Sequence, residues 1–180
     1  DSQNHTCTPI SAACCNKYTI YLVSIQGDNK NHLFYASNKI KSNHPVILNI
    51  GNNNPIAIYG GYVNAAAINE EGSIIFIPQL IDNSSNINLE ATSLPGGEKA
   101  VSVACCDNYI FALSENGSVF TSQVSDTGKL SFSEVNELKG IKIDNISGSH
   151  EHLNIDFCKK ARIMMERLTF TRLASLYSSY

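Results

Sequence analysis

Histidine and cysteine are the residues of this sequence whose spacing could support chemistry. His150 and His152 are two residues apart, so on an extended strand both side chains would point to the same side, as in a metal-binding pair. A zinc site takes three or four protein ligands, and the sequence offers no third ligand beside this pair and no Cys-x-x-Cys. We therefore predict no metal site and no cofactor.

Four of the six cysteines form adjacent pairs, Cys14–Cys15 and Cys105–Cys106, inside apolar runs. A thiol in such a run is usually a small buried residue and not a nucleophile. We interpret the cysteines as reduced core residues of an intracellular protein, cytoplasmic or nuclear, with disulfides in a secreted protein as the alternative. Gly-x-Ser-x-Gly and phosphate-binding loops do not occur, so we predict no catalytic residues and no enzyme.

Charge divides the chain into two parts. All three arginines follow Asp156, where five basic residues face two acidic ones, so the formal net charge of −3 hides an acidic body and a basic tail. An acidic body lacks the basic patch that direct nucleic-acid binding requires. A transmembrane helix needs about 20 apolar residues in succession, and the sequence contains no such run.

An internal repeat positions these residues. VSVACCDNYIFALSENGSVF (101–120) aligns without a gap on IAIYGGYVNAAAINEEGSII (56–75), 45 residues earlier. ISAACCNKYTIYLV (10–23) begins 46 residues before the second segment, and ISGSHEHLNI (146–155) begins 43 residues after Val103. Self-similarity at this period is typical of propellers and other repeat proteins.

Each repeat predicts four strands. The hairpin signals are Asn116-Gly117 and, at the same place in the preceding copy, Glu71-Gly72, because both central positions of such a turn favour a positive φ. A β-sandwich would explain the strands but not the gapless repeat. The predicted strands, in chain order, are 10–15, 18–24, 33–36 and 46–50; 56–60, 64–69, 74–77 and 86–91; 101–106, 109–114, 119–123 and 130–135.

The residues at 105–120 carry a family resemblance. CCDNYIFAL, followed by ENGSVF, resembles the repeat of the regulator of chromosome condensation (RCC-type) family, which reads roughly C-G-x-x-H-t-x-A-L and then polar, Gly, x, Val and aromatic. Residues 60–75 and 148–152 fit the same template, with His152 on the histidine position. That position holds Tyr18, Asn64 and Tyr109 in the other copies, and the Trp-Gly that often closes the hairpin is missing.

The resemblance implies an all-β fold, a partial β-propeller of four-stranded blades. We count three blades and part of a fourth within residues 1–155, at about 10–55, 56–100, 101–145 and 146–155. The family usually closes seven blades, so we expect a fragment, half of a dimeric assembly or a truncated product. Residues 156–180 predict a basic helical tail that caps the open blade or binds an acidic partner or a membrane surface; an altered reading frame is the alternative.

Binding sites of propellers usually lie on loops at one face. Here the inner turns and the outer loops (37–44, 79–85 and 125–129) share a face, and we predict binding at Tyr62, Asp107, Asn108, His150 and Glu151. The function that we predict is a protein-binding scaffold. The resemblance also implies guanine-nucleotide exchange on a small GTPase partner, and a secreted inhibitor-like propeller is the third alternative.

Overall fold

Short antiparallel strands make up most of the regular structure. The computed structural model describes residues 6–37, 45–80, 88–125, 128–148 and 152–157. Two single turns of 3₁₀ helix, Pro95–Gly97 and Asn136–Leu138, precede the third and fourth sheets. Within the described ranges the strands are β1 (Cys7–Cys14), β2 (Tyr18–Ile25), β3 (Asn31–Ser37), β4 (Val46–Ile47), β5 (Pro55–Gly60), β6 (Ala65–Asn69), β7 (Ile74–Ile77), β8 (Ala91–Thr92), β9 (Ala100–Cys105), β10 (Tyr109–Ser114), β11 (Val119–Gln123), β12 (Ser133–Glu134), β13 (Ile143–Gly148) and β14 (Leu153–Phe157).

The strands form four antiparallel sheets in which neighbours in sequence are neighbours in space. β1–β4, β5–β8 and β9–β12 each make a four-stranded sheet, and β13 pairs with β14. We call these sheets blades 1 to 4 and their first strands, β1, β5, β9 and β13, the inner strands. The predicted organisation, three blades and part of a fourth, is confirmed.

The predicted strand positions hold best in the middle of each blade. The second and third strands of blades 1, 2 and 3 lie within two residues of the prediction, and β7, β10 and β11 match it. The fourth strands are wrong in length, since each forms only two residues of ladder. Leu48, Ile50 and Leu130, which made those segments look like strands, are buried without being part of a ladder.

Apolar side chains fill the layers between successive blades. The layer between blades 1 and 2 holds aromatic and aliphatic residues of blade 1, among them Ile20 and Tyr35, against Ala67 and Ile75 of blade 2. Two further layers of the same kind separate blades 2 and 3 and blades 3 and 4. Blades 2 and 3 are thus packed between neighbours on both faces, which is the two-sided burial that stacked repeats need for stability.

Glycine shapes the end of the blades that carries the turns between second and third strands, which we call the hairpin edge. Gly72 and Gly117 have φ of 79° and 84°, a left-handed conformation that favours glycine. Their carbonyl oxygens accept hydrogen bonds from the N–H of Ala100 (2.9 Å) and Ile143 (3.0 Å), the first residues of the inner strands β9 and β13. The hairpin edge therefore joins adjacent blades through their main chains.

Every inner strand contains a β-bulge at the same point of the repeat. The pairing with the second strand skips Ile10, Ile56, Val101 and Asp144 in turn. Because a bulged residue is not part of the ladder, its side chain can turn away from the sheet. The three apolar bulge residues are between 51% and 53% exposed.

The predicted tail begins too early. Asp156 and Phe157, assigned to a helix from the change in composition, lie in β14 and pair with Asn145 and Ile143 of β13. The apolar side chain of Phe157 packs with the layer between blades 3 and 4, which continues the strand alternation of Leu153 and Ile155. Residues 158–180, the remainder of the predicted helix, lie outside the described residues.

Candidate protein-binding face

The turns between first and second strands lie together at the end of the blades opposite the hairpin edge. We call this surface the turn face; its described parts are residues 15–17, 61–64, 106–108 and His152. The backbone N–H of Asn16 in blade 1 donates to the carbonyl of Tyr62 in blade 2 at 2.9 Å. The turn face is therefore continuous from one blade to the next.

Asn64 fixes the turn of blade 3 to blade 2. Its side-chain Nδ2 donates to the backbone carbonyls of Asp107 at 2.6 Å and Cys106 at 3.3 Å, and the residue is only 7% exposed. An amide that satisfies two carbonyl groups in a buried position stabilises their geometry, because leaving them unpaired there costs free energy.

Tyr18 fixes the turn of blade 2 to blade 1. Its hydroxyl donates to the carbonyls of Ile77 at 3.1 Å and Val63 at 3.3 Å, and its ring stacks on Tyr35 with the centroids 4.8 Å apart. Burial raises the pKa of Tyr18 well above the ordinary tyrosine range. Tyr18 and Asn64 hold the histidine position of the repeat, so both replacements keep a hydrogen-bond donor that reaches the next blade.

Two thiols add a second link of the same kind. Cys15 Sγ donates to the carbonyl of Asn64 at 3.4 Å, and Cys106 Sγ donates to the carbonyl of His152 at 3.5 Å. Both acceptors occupy the histidine position of the following blade. Burial raises the pKa of Cys15 and that of Cys105, so the Cys15 and Cys105 thiols stay protonated at neutral pH.

Among the cysteines of the described ranges, Cys14, Cys15 and Cys105 are free thiols.

The structure places three of the five predicted binding residues on the turn face. Tyr62 is 44% exposed, Asn108 is exposed and Asp107 is half-buried, and all three lie in turns between inner and second strands. His150 and Glu151 lie outside the described residues. The three described residues come from neighbouring blades that Asn64 joins, so the structure brings them to one surface.

The predicted outer loops begin beside the inner turns. Ser37 Oγ donates to the carbonyl of Lys17 at 2.8 Å, and the N–H of Val124 donates to the carbonyl of Asn108 at 2.9 Å. These contacts support the expectation that both sets of loops share one face. Most of the outer loops, at 38–44, 81–87 and 126–127, lies outside the described residues.

A groove along the inner strands was not predicted. It encloses about 370 Å³ and is open to solvent. Gly60 allows it to be narrow, because a side-chain carbon there would come within 2.9 Å of the carbonyl of Cys14. The repeat offsets could have identified the groove, since its lining consists of equivalent positions: Ala12, Ile58, Val103 and Ile146; Ala13, Tyr59, Ala104 and Ser147; Cys14, Gly60, Cys105 and Gly148.

Charged side chains form few close pairs in the described ranges. On the hairpin edge of blade 1, His32 Nε2 lies 2.8 Å from Asp28 Oδ2, and this contact lowers the pKa of Asp28. Within the described part of the chain no three His, Cys, Asp or Glu side chains gather in a metal-binding arrangement. None of the helices found in that part has the length and apolar character to cross a membrane.

Comparison with known proteins identifies the fold. No protein-family model and no curated protein matches the chain. Human WBSCR16 superposes with a TM-score of 0.59 at 14% identity, over 84% of this chain and 45% of that one. Yeast RCC1 (Prp20), solved bound to Kap60, gives 0.58 at 11% identity over 86% and 42%.

A second structure of Prp20p from Saccharomyces cerevisiae, reported with its binding properties to Gsp1p and histones, gives a TM-score of 0.54 at 11% identity over 89% and 47%. The chain thus spans less than half the length of these two proteins. At such low identity the likeness concerns the fold alone, and it agrees with the repeat signature at 105–120. The chain has the fold of an RCC-type β-propeller.

Proposed function

We propose that this chain is a protein-binding propeller module that acts as an interaction scaffold, and that the turn face is its binding surface. The observation that carries the proposal is the set of hydrogen bonds between blades at that face. Asn64 and Tyr18 fix the turns of the following blades, so exposed residues of separate blades are presented in a fixed arrangement. Such order lowers the conformational entropy that binding must remove.

The composition of the turn face suits a protein partner. Tyr62 offers an exposed aromatic ring with a polar end, and tyrosine is enriched among the residues that dominate binding energy. Asn108 and Asp107 provide polar groups in the next turn. An aromatic anchor beside polar groups is typical of the centre and the rim of a protein interface.

A non-catalytic role is part of the proposal. Cys15 and Cys105 are the cysteines nearest the turn face whose pKa is raised by burial, and the thiolate is the reactive form. Cys105 is the buried last residue of β9, and Cys15 is half-buried directly after β1. They therefore serve packing better than nucleophilic catalysis.

Guanine-nucleotide exchange is the second candidate. It is supported by the likeness to Prp20, whose structure was reported together with binding to Gsp1p. An exchange factor acts by binding the nucleotide-free partner more tightly than the nucleotide-bound one. A scaffold shows no such difference, so the two candidates separate by their response to nucleotide.

The first experiment is capture of partners by the immobilised full chain, with Tyr62→Ser as the test variant and Glu71→Ala on the hairpin edge as the matched control. We expect one or more proteins to be retained by the wild type and by Glu71→Ala and to be lost by Tyr62→Ser. A set of retained proteins that does not differ among the three baits would refute the turn face as the binding surface.

The second experiment measures release of fluorescent GDP from Gsp1p with and without the full chain. For a scaffold we expect no change in the release rate. Acceleration that removal of Mg²⁺ by a chelator enhances, and that Tyr62→Ser abolishes, would replace the scaffold by an exchange factor working through the same face.

A further inference from the structure

The hairpin of blade 3 contains Asn116-Gly117, the only Asn-Gly pair in the sequence. Asparagine is chemically labile, and it is most labile before glycine, because glycine has no side chain to shield its backbone nitrogen. In deamidation that nitrogen bonds to the side-chain carbon Cγ of the asparagine, the Cγ–Nδ2 bond breaks and ammonia leaves with the proton. Water then opens the resulting ring to aspartate or to isoaspartate, in which the main chain runs through the side chain.

The fold holds the nucleophile of this reaction on both sides. The N–H of Gly117 donates to the carbonyl of Ser114 at 2.9 Å, and the carbonyl of Gly117 accepts from the N–H of Ile143 at 3.0 Å. Asn116 itself is exposed to solvent. While the turn is closed, its hydrogen bond keeps the proton on the nitrogen, so the ring forms only from molecules in which the turn has opened locally.

Blade 2 contains the same turn with a carboxylate in place of the amide. The N–H of Gly72 donates to the carbonyl of Asn69 at 2.9 Å, and φ is 79° at Gly72 and 84° at Gly117. Glu71 therefore shows that a carboxylate is compatible with this turn, and aspartate at position 116 would keep it. Isoaspartate would not, because it adds a carbon to the main chain directly before Gly117.

The two turns differ in how firmly side chains hold them closed. In blade 2, Asn69 Oδ1 accepts from the N–H of Ser73 at 2.8 Å, and Asn69 Nδ2 donates to Asn53 Oδ1 at 2.9 Å. In blade 3 the corresponding acceptor is Ser114 Oγ, which accepts from the N–H of Ser118 at 3.2 Å. A turn held by fewer and longer hydrogen bonds opens more often, so the turn of blade 3 is the more reactive of the two.

We propose that Asn116 is a site of deamidation in the folded protein, and that the restraint of its turn sets the rate. Aspartate at this position preserves the turn, as Glu71 does in blade 2. Isoaspartate displaces the carbonyl of Gly117 from the N–H of Ile143, and so loosens blade 4 at the hairpin edge. The site lies at the opposite end of the blades from the turn face, so this inference does not depend on the proposed binding function.

The test places two matched sites in one molecule. Glu71→Asn gives Glu-Asn-Gly-Ser at 70–73, the same four residues as at 115–118. The full chain is kept folded in mildly alkaline buffer, and mass spectrometry of its peptides follows the exchange of amide nitrogen for oxygen at each site. We expect conversion at Asn116 to be about three to ten times faster than at position 71, the ratio that one ordinary hydrogen bond corresponds to.

The same chain in urea is the reference, because both sites should then convert alike. Equal or faster conversion at position 71 in the folded chain would refute the role of the turn. A folded chain in which Asn116 stays intact while the urea sample converts would overturn the proposal itself. Ser114→Ala, which removes the side-chain bond to Ser118, should accelerate conversion at Asn116 by about threefold.

A second measurement addresses the link to blade 4. Asn116→Asp supplies the aspartate product alone and should unfold at the same temperature as the wild type. The isoaspartate fraction of aged wild type is recognised by its resistance to an aspartate-specific endoproteinase at position 116. We expect this fraction to unfold at a lower temperature and to exchange the amide hydrogen of Ile143 faster. Unchanged exchange at Ile143 would refute the loosening of blade 4.

Discussion

The two ends of the blades join their neighbours by different chemistry. At the hairpin edge, blades 2, 3 and 4 are linked between main chains, from the N–H of Ala100 to the carbonyl of Gly72 and from Ile143 to Gly117. At the turn face, side chains of Tyr18 and Asn64 donate hydrogen bonds to carbonyl groups of the next blade, in addition to the main-chain bond from Asn16 to Tyr62. A main-chain link restricts which residue can occupy the position, because it requires a particular backbone conformation. A side-chain link can be made by any residue whose side chain has a hydrogen-bond donor of suitable length.

This difference explains where the repeat is preserved and where it varies. The hairpin edge requires a positive φ and close approach, which only glycine provides without strain, so Gly72 and Gly117 recur. The histidine position of the turn face holds Tyr18, Asn64, Tyr109 and His152. The variable edge is thus the one that can diversify for binding while the blades remain joined.

The largest expected effect comes from Gly72→Ala at the hairpin edge. At φ of 79° an alanine is strained, and its Cβ would lie 2.8 Å from Lys99 Cα in the next blade. We expect a loss of about 3 kcal/mol in the free energy of unfolding, measured by urea titration. The control is Gly27→Ala, which has a φ of 90° but no atom within 4 Å and should lose only about 1 kcal/mol. Equal losses would mean that the contact with Lys99 of the next blade adds nothing to the cost of the Gly72→Ala substitution.

Asn64→Ala should have the next largest effect, at the turn face. It removes both hydrogen bonds and leaves the buried carbonyls of Cys106 and Asp107 without this donor, which we expect to cost about 2 kcal/mol in urea unfolding. Asn64→His, which restores the residue of the repeat signature, should recover part of the loss. A change no larger than that of the exposed control Asn108→Ala would refute side-chain coupling at this edge.

The buried thiol of Cys105 predicts a dependence on pH. Burial raises its pKa above the ordinary value of 9.0, so the unfolded chain releases this proton at a lower pH than the folded chain does. Its contribution to stability is therefore complete below pH 9.0 and falls by about 1.4 kcal/mol for each pH unit above it. Urea unfolding near pH 8 and pH 10 should show a smaller loss for Cys105→Ala than for the wild type. Equal losses in the wild type and in Cys105→Ala would contradict a raised pKa of Cys105.

Tyr18→Phe should have the smallest effect of the four. It keeps the stacking on Tyr35 and removes only the hydrogen bonds to Val63 and Ile77, so we expect a loss of about 1 kcal/mol in thermal or urea unfolding. Tyr21→Phe, at a half-buried position of β2, serves as the control and should change stability by less than about 0.5 kcal/mol. A loss for Tyr18→Phe as small as that of the control would limit the coupling to Asn64.

Local signals explain what could be predicted of the fold. The hairpins follow from Asn116-Gly117 and Glu71-Gly72 because the turn requirement lies within two residues. The length of the fourth strands was overestimated because Leu48, Ile50 and Leu130 are apolar residues that pack in the core without pairing in a ladder. Periodicity cannot separate these two causes in a short apolar run.

The candidate site was predictable only in part for a different reason. The position of Tyr62, Asp107 and Asn108 in turns could be predicted because turn chemistry marks them in the sequence. The bond from Asn64 to Asp107 joins residues 43 apart in the chain, and the sequence presents Asn64 only as a departure from the repeat. Contacts between repeats depend on the curvature of the array, which no single repeat encodes.

The bulge residues of the inner strands provide equivalent positions from which the spacing of the blades can be measured. Ile10, Ile56 and Val101 are solvent-facing, stand outside the ladder and recur at offsets of 46 and 45 residues. Paired spin labels at these positions would report the spacing of adjacent blades and of alternate blades without removing a ladder hydrogen bond. The ratio of the two distances would measure whether the array bends evenly, and would detect any change of curvature when another molecule binds.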